Sequence, residues 1–199
     1  MMHTNVNLSE KEMELVTNAD FILTKNRIID KVYEIFGDLS TAYLDTIERR
    51  GFLLPKEVVS ISAKIYKGER YLELPYAMMD YPRYFTKQDS FAVRSFFWWG
   101  NFFSISLHLR GKYLRRYEKQ ILQHSGNVKF ENWFLYTGYD EWDNRFNEDN
   151  FVPLFNYREH VDVSRDFLKI SKKMSLENWS YAFNFFATAF DETLQLLTP

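Results

Sequence analysis

The chain has 199 residues, no cysteine and a formal net charge of −2. That length fits one domain spanning 1–199, large enough to bury about 70% of its unfolded surface without a staple. The absence of cysteine excludes disulfides, thiolate metal sites and cysteine nucleophiles and fits a reducing compartment, while the near-neutral charge excludes bulk attraction to nucleic acid.

The first ten residues lack a basic stretch followed by an apolar one, so no signal peptide is expected. The most apolar run, Phe96 to Leu109, is interrupted by Gly100, Asn101, Ser104, Ser106 and His108, so no membrane span is expected either. A cytoplasmic location follows by default. The unusual feature is 19 Phe, 13 Tyr and 5 Trp. Such rings can stack on sugars or bases, but here most fall at helix or strand period, which favours a packed core.

Residues 1–50 read as an N-terminal helical segment. Ser9 and Glu12 have capping-box spacing, with Leu8 and Met13 where a hydrophobic staple would close. Whether Ser9 to Phe36 is one helix or two is open; a break is placed near Asn18. Ile28, Ile29, Val32, Tyr33 and Phe36 make a helical stripe that Gly37 is expected to end. Tyr43, Leu44 and Ile47 make a further stripe, stopped by Gly51.

Residues 64–155 read as mainly β with one inserted helix. Lys67-Gly68-Glu69 suggests a turn. Tyr71 to Asp80 reads as extended, and Pro75 favours an edge strand or a bulge. Asp80 to Phe85 is turn-like, with Pro82 ending the pairing. Phe91–Trp99 and Phe102–Arg110 flank Gly100-Asn101, a two-residue hairpin turn. With that turn Trp99 pairs with Phe102, and Arg94 lies opposite Leu107 on the apolar face together with Phe96, Trp98, Phe103 and Ile105. The other face mixes Phe91, Val93, Ser95 and Phe97 with Ser104, Ser106, His108 and Arg110. Gly111 to His124 switches to helical period, Gly126 stops it, and Val128 to Tyr136 returns to strand.

Residues 161–197 read as C-terminal helices: a stripe of Val163, Phe167 and Ile170, then an N-cap at Ser175. Beyond it Trp179, Phe183, Phe186 and Phe190 share a wide apolar face. The expected class is α+β, an antiparallel sheet of about four strands covered by N-terminal and C-terminal helices.

Catalytic motifs are not legible. No glycine-rich phosphate loop or GxSxG elbow occurs. His3, His108, His124 and His160 never fall at i, i+4, so no metal site and no cofactor is expected. Asp140 to Asn150 lacks EF-hand spacing and reads as a solvated acidic loop. Arg110, Lys112, Arg115, Arg116 and Lys119 form a basic helix face that this loop can offset. The ligand-binding candidates are Asp80, Arg83, Arg94, Ser95, Trp98, Trp99, Ser106 and His108. Arg94, on the helix-facing side, requires a carboxylate, with Asp80 or else Asp191 or Glu192 as its partner. The leading function is a non-catalytic binding or protein-interaction module using the aromatic/polar sheet face. An enzyme with scattered acid–base residues (His108, Asp80, Arg94) is the alternative, and a nucleic-acid-associated protein using helix 110–119 the third. Nucleic acid is not favoured. The aromatic tip, Phe96 to Phe103, must be covered by the protein itself, a protein partner or a second subunit.

Overall fold

A computed structural model describes residues 6–50, 54–147, 149–157 and 165–199. Among these residues it is an α+β fold with five α-helices and one seven-stranded antiparallel sheet, three strands more than the sequence suggests. Helices α1 (Glu10–Thr17), α2 (Ala19–Arg49) and α3 (Lys56–Val59) precede β1 (Lys64–Tyr71), β2 (Leu74–Phe85), β3 (Ser90–Trp98) and β4 (Phe102–Arg110). Helix α4 (Lys112–His124) leads to the short strands β5 (Phe134–Tyr136) and β6 (Phe151–Pro153), then β7 (Phe167–Ser175) and helix α5 (Ala182–Leu196). The strand order is β1-β2-β3-β4-β7-β5-β6. Among the described residues no helix is long and apolar enough to cross a membrane.

The N-terminal caps act as expected, while Leu8 and Met13 of the expected staple stay exposed. Ser9 and Glu12 close a capping box, and Asn18 both ends α1 and caps α2 by accepting from the Phe21 N–H. Gly37 does not end the stripe. Helix α2 runs through it to Arg49, because Leu39, Tyr43 and Ile47 continue the buried face on the same period and outweigh one glycine's lost propensity. Gly51 lies outside the described residues.

The first reversal falls later than expected. Lys67-Gly68-Glu69 lies within β1, and the reversal falls at Leu72-Glu73, both at positive φ, which joins Tyr71 to Leu74 as a two-residue hairpin. Pro75 therefore sits at the start of β2, which is paired on both sides and is not an edge strand. Nor does Pro82 end the pairing: β2 shifts register between Asp80 and Arg83 and continues to Phe85.

The β3–β4 hairpin is shifted by one residue from its sequence reading. Trp98, not Trp99, pairs with Phe102, and the Asn101 N–H closes the turn on Trp98 O at 3.0 Å with Gly100 at φ 70. A four-residue turn of this kind needs a residue tolerant of positive φ at its third position, and Gly100 supplies it. A one-residue slip exchanges faces. Phe91, Val93, Ser95 and Phe97 therefore join Phe103, Ile105, Leu107 and Leu109 on the side that meets α2, α4 and α5. Ala92, Arg94, Phe96 and Trp98 join Ser104, Ser106, His108 and Arg110 on the other.

The segment before Ser175 is a strand rather than a helix. Leu168 and Ile170 point into the core while Lys169 and Ser171 point to the opposite face, and Phe167 and Ile170 share no stripe. Val163 lies outside the described residues. Likewise only 134–136 of the expected strand 128–136 is extended, Val128–Phe130 being a 3-10 turn. Ser175 does act as an N-cap, accepting from the Glu177 N–H, although the first turns after it are 3-10 and α5 proper begins at Ala182.

In α5, Phe186 and Phe190 are fully buried, whereas Phe183 is 39% exposed and stands off the core. Phe186 packs edge-on against Phe36 of α2 and Phe103 of β4, joining both layers. Replacing Phe186 with Ala should therefore destabilise the fold by about 3–5 kcal/mol in urea unfolding. A loss under about 1 kcal/mol would show that this ring does not hold the layers together.

Candidate functional site

The face of the sheet turned away from the helices is also buried, and its centre is polar. Two rows of cross-strand neighbours build it. Asp80, Arg94, Ser106 and Ser171 follow one another across β2, β3, β4 and β7, and Ala92, His108 and Lys169 form the adjacent row. The described residues of the loop between β5 and β6, 137–147 with 149 and 150, fold over both rows and bring Glu141, Trp142 and Asn144 onto them. Around the hollow left by the small side chain of Ala92, these residues and Phe85 enclose about 10 Å³, room for about one water molecule.

Each charge here has a partner. Arg94 donates from Nε to Asp80 Oδ1 at 2.8 Å and from Nη2 to Asp80 Oδ2 at 2.9 Å, a two-point pair of which little is exposed. Asp80 is thus the expected carboxylate, but the pair lies on the polar face beside Ser106, not at the helix boundary, because of the one-residue hairpin shift. Asp191 and Glu192 serve elsewhere: Asp191 binds Arg50, and Glu192 accepts from Lys172 and the Trp133 indole. The Trp142 ring covers the pocket, 5.5 Å from the Arg94 guanidinium and nearly parallel to His108 at 5.2 Å.

Lys169 is 3% exposed and directs its ammonium at the cover loop, donating to the backbone oxygen of Asp143, to Asn144 Oδ1 at 3.1 Å and to Glu141 O at 3.4 Å. Asp143 is gripped in turn by Tyr71 Oη and by Arg145, and the Asn144 N–H donates to Tyr71 Oη at 2.7 Å. The described residues of 140–150 are therefore only in part a solvated acidic loop, with Asp140 and Asp149 exposed and the polar centre turned inward. Asp143, Asn144 and Asn150 are buried, and Glu141 binds Arg110.

One contact remains incomplete. His108 Nε2 lies 3.1 Å from Glu141 Oε2, yet the two are misaligned, and each is buried without a well-formed hydrogen bond. Such atoms are costly unless something completes them. Burial pushes the His108 pKa down, against the pull of Glu141. Burial, with Arg94 second, lowers Lys169 from 10.5 to about 7.

Of the eight sequence candidates, Asp80, Arg94, Ser106 and His108 come together here. Ser95 is on the helix side, 3.0 Å from Tyr43 Oη. Arg83 donates to Ser62 O outside the pocket. Trp98 shares the polar face but packs farther along it, its indole donating to Tyr71 O, and Trp99 packs edge-on to Phe97. The hairpin tip is covered by the chain itself: Phe97 and Phe103 meet Trp179, Phe96 meets Tyr71, and Phe102 meets Phe146. On the basic helix face, Arg110 binds Glu141 and Asp166, and Lys112 binds Glu57. Lys169, Glu141, Trp142 and Asn144 were not among the candidates. The signal for them is indirect: a tryptophan between carboxylates in a supposed solvent loop, and a lysine that alternates with buried aliphatics.

These shifts set the pH dependence of stability. Lys169 binds its proton more weakly folded than unfolded, so the unfolded chain holds more protons between about 7 and its ordinary value. Stability should therefore rise with pH from about 7 to about 9, by up to about 1.4 kcal/mol per pH unit, before tyrosines titrate. His108, also lowered, adds a rise at lower pH that is complete above its ordinary value. Chemical unfolding of Lys169→Met across this range should lack the upper rise. An unchanged slope would show that Lys169 is not held at a depressed pKa.

Comparison of the chain with known protein-family models, curated proteins and solved structures finds no match.

Proposed function

We propose that this protein is a non-catalytic binding module whose site is the polar sheet face beneath the 137–150 loop, and that its ligand is a small anion such as a carboxylate. The observation that supports this reading most is that Arg94, His108 and Lys169 converge on one pocket from three neighbouring strands. Arg94 is fixed by Asp80 while still lining the cavity, so its guanidinium is oriented before any ligand arrives. His108 Nε2 has an unfilled hydrogen-bonding position there. The present volume admits about one water, so a ligand of several atoms enters only when Trp142 swings outward. Trp142 is 45% exposed and can do so without crossing the core.

A second reading, an acid–base enzyme, is favoured by the His108–Glu141 contact and by Lys169 near neutrality. Asp80 is engaged by Arg94, so the proton-transferring groups in this reading are His108, Glu141 and Lys169 rather than the trio read from sequence.

Calorimetric titration of the full chain with formate, acetate and inorganic phosphate tests the binding reading. Saturable binding is expected, weakening as pH rises through about 7 where Lys169 loses its charge. It should vanish in Arg94→Met paired with Asp80→Asn, which avoids a lone buried carboxylate, and in His108→Leu, which leaves the ion pair intact. Circular dichroism reports the fold of both. No binding of any probe, with both variants altering stability alone, would make the cluster a purely structural tie.

A further inference from the structure

We infer that the pocket lined by Phe134, Phe146, Asn147, Phe151 and Lys173 is a second binding site, and that it takes a small aromatic carboxylate. It lies on the same sheet face as the Arg94 cluster, farther along, where β7 meets β5 and β6. Lys173 stands two residues beyond Ser171 in β7, Phe134 pairs with Ser171, and Phe151 pairs with Tyr136, so the three side chains share that face. The pocket holds about 350 Å³, within the range of small-molecule sites. It shares no lining residue with the pocket beneath Trp142, so this inference stands apart from the function proposed for that one.

The walls are flat, apolar and already set. Phe146 stacks on Phe151 with centroids 4.0 Å apart and rings 2° from parallel, and Phe134 meets Phe146 edge-on at 5.3 Å. Asn147 and Asn150 clasp the chain between the stacked rings: each backbone N–H donates to the other's Oδ1 at 3.1 Å. A further ring can join such a cluster in the offset or edge-on geometry that aromatic groups prefer, at little ordering cost to the protein. The polar groups select what that ring carries. The clasp occupies Asn147 Oδ1 and leaves its amide nitrogen as a donor. Lys173 Nζ lies 4.6 Å from the Phe146 centroid and 5.9 Å from that of Phe102. Its sequence neighbour Lys172 binds Glu192, but among the described residues no carboxylate pairs with Lys173. Rings attract an ammonium without neutralising it or accepting its full set of hydrogen bonds. Two donors, one of them an uncompensated charge, call for an anionic acceptor, and the phenyl walls call for a flat apolar body behind it. A bare inorganic anion gains nothing from the rings, and a cation is repelled.

Nuclear magnetic resonance titration of the full chain with phenylacetate is the test, with benzyl alcohol as the uncharged ring and formate as the ringless charge. Phenylacetate should shift the Phe146 and Phe151 resonances saturably, with a Kd of about 1 mM or below. Benzyl alcohol should bind at least tenfold more weakly, and formate should leave these resonances in place. Lys173→Gln, at an exposed site, should weaken phenylacetate at least tenfold with an unchanged circular dichroism spectrum, and Lys173→Arg, which keeps the charge, should restore it. His108→Leu, which disables only the pocket beneath Trp142, should not alter phenylacetate binding at Phe146. No saturable shift, or benzyl alcohol as tight as phenylacetate, overturns the inference. So does phenylacetate binding that survives Lys173→Gln and is lost in His108→Leu, which would assign the aromatic acid to the other pocket.

Discussion

The Asp80–Arg94 ion pair is the constraint on which the site depends. The sheet is buried on both faces, so any charge on its inner strands must be neutralised where it stands. β2 and β3 place the two groups directly across from one another, and the planar fork of Arg94 matches the carboxylate in two places. Breaking such a pair leaves a lone buried charge at a cost of about 3–5 kcal/mol, whereas an apolar replacement of both is often neutral. The pair is therefore weak evidence of selection for stability and better evidence of a guanidinium kept oriented in a pocket.

The cover is secured by polar bonds over the pocket, and farther along the face by Phe146, which stacks on Phe151 and meets Phe102 and Phe134. The Lys169 ammonium, Tyr71 Oη and the Asp143 carboxylate tie the loop through its backbone, while its largest ring, Trp142, stays half exposed above His108. Polar ties of this kind exchange readily with water, each contributing about 1 kcal/mol net. The opposite face is closed by fully buried aromatic and aliphatic side chains from α2, α4 and α5. One side of the sheet is thus closed by an apolar core and the other, over the pocket, by a hydrogen-bonded loop.

Where local chemistry had one solution, the sequence was legible. The capping box at Ser9, the junction at Asn18, helix α4, the Ser175 cap and the apolar alternation of β4 could all be read directly. β3 could not, because Phe96, Phe97, Trp98 and Trp99 satisfy either face and leave the register to the Gly100 turn. β7 was hidden by Lys169, Lys172 and Lys173, which blur a two-residue period. The one-residue shift is what puts Arg94 beside Ser106 and on the same face as His108, in the candidate site. The lysine and the loop completing the pocket were illegible for a different reason: single-sequence reading places lysines and carboxylates in water, and only the fold shows that these are not.

On the proposed function, a bound anion places a negative charge between His108 and Lys169. Nuclear magnetic resonance titration of the His108 imidazole and the Lys169 side-chain nitrogen, with and without saturating formate, tests it most directly. Because an anion stabilises the protonated form of both, the account predicts that formate raises both pKa values, with the half-titration of Lys169 moving upward from about 7. Two titration curves that superimpose with and without formate would contradict it.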